Sequence, residues 1–142
     1  MRVPIAYCLS WPERLPLKIP RMDPVSLKKL HFEAIDPNRF PCLSISVKAA
    51  KQGGGSPAVL NGANEEVVYA FSNEEIRFVD IAKTLASVMR KLDETLQQTA
   101  TDFADEIPNF LLNIKSLEDA VQADQWGREQ ARKVLDIGRK VR

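Results

Sequence analysis

Apolar residues recur with a helical period over most of the chain beyond residue 41. Ile81, Leu85, Val88, Leu92 and Leu96 are spaced 4, 3, 4 and 4, a near-heptad seam that predicts a long amphipathic helix following Arg77-Phe78. Ahead of it, Val59, Leu60, Ala63, Val67 and Phe71 form one buried stripe, with Asn61, Asn64 and Glu65 on the other side. Ser56-Pro57 starts that helix, with Ser56 expected as the N-cap and Pro57 in the first helical position. Pro41 opens an earlier helix that runs to about Gln52, where Gly53-Gly54-Gly55 stops it. A final helix follows Ser116 as N-cap and Asp119 in an acidic first turn, a loose capping box. Its inward residues are expected to be Leu117, Ala120, Val121, Ala131, Val134, Leu135 and Val141, and it ends on the basic Arg139, Lys140 and Arg142. Between the last two helices, residues 99–115 carry Phe103, Ile107, Phe110, Leu111, Leu112 and Ile114 but are divided by Pro108. Three to four antiparallel helices with short links make a compact bundle.

The first forty residues follow a different pattern. Prolines at 12, 16, 20 and 24 forbid a regular helix, because each ring removes a donor and clashes with the preceding turn. Residues 12–23 should run extended across a surface. Pro4 suits the first turn of a short helix whose apolar side is Ile5, Ala6, Leu9 and Trp11. A weak alternation in Leu30-His31-Phe32-Glu33-Ala34-Ile35 allows one short strand. The fold class is therefore mainly α: a short helix, a proline-rich extended linker with one short strand, then the bundle.

Composition narrows the class of function. The 142 residues are 44% hydrophobic and 27% charged, which suits a folded soluble domain rather than a disordered chain. Lys and Arg (20) nearly balance Asp and Glu (19), so bulk charge argues for no nucleic-acid partner. Residues 2–33 carry a local excess of three positive charges, but no aromatic platform accompanies it. No stretch reaches the roughly 18 apolar residues that span a membrane, and Pro4, Pro12 and Glu13 interrupt any signal-like run. Cys8 and Cys42 make no disulfide framework and suit a cytoplasmic, reducing compartment.

Candidate chemistry is sparse. Lys51-Gln52-Gly53-Gly54-Gly55-Ser56 precedes a helix and offers backbone N–H groups to an anion, but it lacks the lysine and hydroxyl placement of a P-loop. The glycines read more simply as a turn. Asn61, Asn64 and Glu65 share a helix face, where amides of this kind satisfy irregular backbone; the expected partner is the proline-rich segment. His31 is the only histidine, so zinc or iron has no ligand set. The acidic pairs Glu65-Glu66, Glu74-Glu75 and Asp105-Glu106 read as solvated faces or helix starts.

The order of local strings is more specific than any one motif. Met1-Arg2-Val3-Pro4-Ile5-Ala6, Trp11-Pro12-Glu13-Arg14, Leu30-His31-Phe32, Arg39-Phe40-Pro41-Cys42-Leu43, Ala58-Val59-Leu60-Asn61-Gly62-Ala63-Asn64-Glu65 and Ile76-Arg77-Phe78-Val79-Asp80-Ile81 follow one another, and Leu117-Glu118-Asp119-Ala120-Val121-Gln122-Ala123-Asp124 closes the series. Together they resemble the C-terminal part of the 1-deoxy-D-xylulose 5-phosphate reductoisomerases. The resemblance implies a parent with an NADPH-binding domain, a central catalytic domain that builds a homodimer, and a terminal helical bundle. Such a parent converts 1-deoxy-D-xylulose 5-phosphate to 2-C-methyl-D-erythritol 4-phosphate in the non-mevalonate route to isoprenoids, with Mg²⁺ or Mn²⁺ polarising the substrate's carbonyl. It divides this chain into the tail of the catalytic domain (1–14), an extended linker (15–37) and the bundle (38–142). Met1 falls on the methionine of the family's Asp-Met-Arg string, beside nicotinamide and substrate. The family's dinucleotide motif, acidic metal ligands and mobile active-site loop match nothing here, so no catalytic or metal-binding residue is expected in this chain, and by itself it is expected to be an inactive structural support. A parent that carries a transit peptide would work in a plastid-type organelle. The rival expectation is a stand-alone helical module that binds a protein partner.

Overall fold

A computed structural model describes residues 2–20, 22–97 and 108–140, and among them the regular structure is helical throughout. The chain divides into two compact units, residues 1–34 and 35–142.

The first unit holds α1 (Arg2–Ser10) and α2 (Pro24–Leu27), neither with a buried residue. Ser10 ends α1 by donating its hydroxyl to the Glu13 carbonyl at 2.7 Å. Tyr7 meets the edge of Trp11 at 5.5 Å, and the Arg14 guanidinium lies 4.8 Å from the Tyr7 ring centre. Ile5, Leu9 and Trp11, read from the sequence as the apolar side of this helix, are exposed, Leu9 most of all. The turn α2 interrupts the proline-rich stretch because Asp23 caps it, accepting from Val25 N at 3.0 Å and Ser26 N at 3.2 Å, with Pro24 at its start. The strand allowed at residues 30–35 does not form. Its residues are exposed and irregular, since among the described residues there is no second strand to complete a ladder.

The second unit is the bundle: α3 (Pro41–Gln52), α4 (Ser56–Ser72), α5 (Phe78–Gln97), α6 (Asn109–Leu112) and α7 (Leu117–Lys140). The helix α3 begins at Pro41 and ends at Gly53, both as the sequence indicates. Ser56 is not the cap of α4. Gly55 takes that position and its carbonyl accepts Val59 N at 2.9 Å, so Ser56 lies buried inside the first turn. The turn before α4 is built under α6. Gly55 N donates to the Leu111 carbonyl at 3.0 Å, and a Cβ on Gly54 would lie 2.5 Å from the Leu112 carbonyl oxygen. Gly54 also has φ +53, a second reason for glycine there. Leu111, held over this turn, is fully buried.

The seam of α5 packs as its spacing indicates: Ile81, Leu85, Val88 and Leu92 are buried, joined by Thr84 and Met89, with Leu96 packed at the margin. The helix opens on Arg77, whose backbone N–H and guanidinium both donate to the Asp80 carboxylate, at 3.1–3.2 Å. The guanidinium bonds hold the Asp80 carboxyl at about 2, below the ordinary 3.8, against the opposing effect of burial. A depressed carboxyl stabilises the fold fully above the unfolded value and loses that contribution as pH falls through the folded one. Asp80→Asn should therefore lower Tm at pH 7, and the gap to the parent chain should close between about pH 4 and pH 2. Thermal melts across that range read it; a gap that widens on acidification would contradict it.

Short turns reverse the chain between α3 and α4 and between α4 and α5, where Phe71 and Phe78 meet edge to face at 5.8 Å. Asp93 of α5 receives Lys48 Nζ at 2.5 Å and Gln52 Nε2 at 3.1 Å from the end of α3. The last helix returns alongside α4 in the same direction: Asn61 meets Asp124, Glu65 meets Arg128 and Glu66 meets Arg132, advancing together. Its start is the expected loose capping box. Asp119 N donates to the Ser116 hydroxyl oxygen at 3.1 Å, and the Asp119 carboxylate accepts Lys115 N and Ser116 N at 2.9 Å each. These bonds, led by that from Lys115 N, hold the Asp119 carboxyl below its usual range.

The inward face of α7 differs from expectation. Leu117 and Val121 point outward, while Ala123, Gly127 and Ala131 are buried against α4. Val134 packs at the core margin as expected, Ala120 and Leu135 are half-buried, and Val141 lies outside the described residues. Small residues win because α4 and α7 approach until backbone meets backbone. A Cβ on Gly62 would lie 2.1 Å from the Asp124 carbonyl oxygen, and one on Gly127 would lie 2.1 Å from that of Val59. Phe71 and Leu60, assigned to the α4 stripe, are only partly covered, and Ala70 and Gly62 take the buried places.

Candidate functional site

The close crossing of α4 and α7 places polar side chains from both helices in one row at its edge. Asn61, one turn before Glu65, reaches the Glu65 carboxylate at 3.2 Å with its amide N–H, which also donates to Asp124 Oδ1 at 3.2 Å. Arg128 binds two acids at once: its Nε donates to Asp124 Oδ2 at 2.7 Å and its Nη2 to Glu65 Oε2. One turn further, Arg132 grips both carboxylate oxygens of Glu66 at 2.9 Å, the two-pronged geometry that guanidinium favours. The site expected on Asn61, Asn64 and Glu65 is thus partly assembled. Asn61 and Glu65 join a network, while Asn64 lines, together with Asn61, the groove between α3 and α4. The expected partner of Asn61 was the proline-rich segment; the partners observed are Glu65 and Asp124 of the bundle.

Electrostatics follow from these contacts. The Arg128 hydrogen bond, then that of Asn61, holds the Glu65 carboxyl below its usual range. Asp124 first and Glu65 second raise Arg128, and Glu66 raises Arg132. Every charge in the row has an opposite partner, so the row pins α4 to α7. Arg128→Met removes the centre and leaves Asn61, Glu65 and Asp124 facing one another. We expect a loss on the order of 1–2 kcal/mol, because the guanidinium is largely covered while Glu65 stays half in water. Arg132→Met removes a more exposed guanidinium and should cost less than Arg128→Met. Double-mutant cycles with Glu65→Gln and Glu66→Gln, read by urea unfolding, measure both couplings; equal couplings would contradict the difference in burial.

The half of the row on α7 was missed in the sequence because Asp124, Arg128 and Arg132 look like an ordinary solvated i, i+4 series. Their signal was the four-residue step shared by Asn61 and Glu65 on α4 with Asp124 and Arg128 on α7.

The remaining candidates fall apart spatially. Met1 lies outside the described residues, as do Asp105 and Glu106. His31 sits exposed in an irregular stretch. The glycine turn spends Gly55 N on Leu111 and lies against the backbone of residues 110–112, which is the turn reading and not an anion cradle. Among the described residues, no three His, Cys, Asp or Glu side chains group to hold a metal ion, and no helix is long and apolar enough to cross a membrane. Cys8 and Cys42 are exposed free thiols.

Comparison with known proteins gives a consistent family. The model of the DXP reductoisomerase C-terminal domain matches residues 1–130. The 1-deoxy-D-xylulose 5-phosphate reductoisomerase of Synechococcus sp. (strain CC9311) is 36% identical over 142 residues, all of this chain and 30% of that protein. That of Chlorobium phaeobacteroides is 40% identical over 136 residues, 96% of this chain and 31% of that protein. Among solved structures, the Zymomonas mobilis reductoisomerase in complex with NADPH has a TM-score of 0.68 and 35% identity, covering 94% of this chain and 31% of that one. A DOX-P reductoisomerase with fosmidomycin and magnesium has a TM-score of 0.72 and 32% identity, covering 96% and 32%. The chain spans about 30% of the length of the curated relatives it matches.

Proposed function

This chain belongs to the family of DXP reductoisomerase C-terminal domains, and from that premise we propose that it is the supporting bundle of an enzyme converting 1-deoxy-D-xylulose 5-phosphate to 2-C-methyl-D-erythritol 4-phosphate. The observation that carries the supporting role is the paired row on α4 and α7: its charges are spent on holding helices together. NADPH and a divalent ion, Mg²⁺ or Mn²⁺, belong to the parent, as relatives bound to NADPH and to magnesium support. In the parent the cofactor supplies hydride and the metal polarises a carbonyl. We assign the metal ligands to other parts of the parent, and no step of the reaction to a residue described here. Residues 1–14 are the tail of the catalytic domain, with Met1 beside the nicotinamide; residues 15–37 are its connection to the bundle. The parent is a homodimer through its catalytic domain, working in a reducing, cytoplasm-like compartment that suits two free thiols.

NADPH oxidation tests the reading. The purified chain with 1-deoxy-D-xylulose 5-phosphate and Mg²⁺ should show no turnover. The same chain, co-expressed with the preceding two domains of a relative, should restore activity that those domains lack alone. Turnover by the chain itself, or domains equally active without it, would overturn the proposal.

A further inference from the structure

We draw no further inference here: the strongest candidate, the groove of about 350 Å³ between α3 and α4 lined by Ser46, Ala49, Leu60 and Asn64, is an unpartnered face, and nothing in the structure shows what covers it.

Discussion

Gly62→Ala and Gly127→Ala should each lower the Tm of the bundle by roughly 10–20 °C, corresponding to about 2–3 kcal/mol in a domain of this size. A single added methyl has this effect because its neighbour cannot turn aside. Each Cβ would stand 2.1 Å from a backbone carbonyl oxygen, Asp124 for Gly62 and Val59 for Gly127. A crowded side chain can change rotamer, but a carbonyl inside a helix moves only with the helix. The two axes must separate, and the contacts of Val59, Ala63, Ala123 and Ala131 loosen with them. The two substitutions act on one crossing, so together they should cost less than their sum. Gly53→Ala is the contrast. It has open space around its Cβ, and its φ of +70 leaves only backbone strain, about 1 kcal/mol. Circular dichroism melts of the three variants separate packing from strain. If Gly62→Ala and Gly127→Ala melt within a few degrees of the parent, α4 and α7 are not in backbone contact.

Leu92→Ala should be the most damaging truncation on α5, at about 3–4 kcal/mol. Its side chain is completely buried in the cluster with Val88, Met89 and Leu111, so removal forfeits transfer energy and leaves a cavity that backbone helices cannot collapse around. Leu117→Ala provides the counterpart. The spacing of α7 assigns Leu117 inward, yet it is 82% exposed, and its truncation should change stability by no more than about 0.5 kcal/mol. Chemical denaturation of both variants compares the two predictions directly. A large loss at Leu117 would restore the inward assignment.

How much of this was legible depends on which atoms carry the information. The limits of α3 come from Pro41 and Gly53, residues whose backbone chemistry acts locally, so they are read correctly from the chain alone. The seam of α5 is equally plain, because large aliphatic side chains at heptad-like spacing need a core. The face of α7 is different. A reading weighted by hydrophobic size picks Leu117 and Val121, whereas a close helix crossing selects Ala123, Gly127 and Ala131 for their lack of bulk. Ser56 fails as a cap for a related reason: Gly55 extends the helix by one residue once its N–H is bound to Leu111, a contact about 55 residues away in sequence. The polar row shares the difficulty, since Asn61 and Glu65 suggest a site but its other half lies on a helix more than 60 residues later.

The parallel pairing of α4 with α7 has a kinetic side. Asn61 and Asp124 are 63 residues apart, so their helices meet only after a long stretch of chain has been drawn closed. The entropy of that closure grows slowly with length, about 0.6 kcal/mol for each doubling, so the arrangement costs the finished bundle little. It costs time instead. The neighbouring helices α3, α4 and α5 can find one another through short turns, whereas the tightest interface must wait for its second member to arrive from far along the chain.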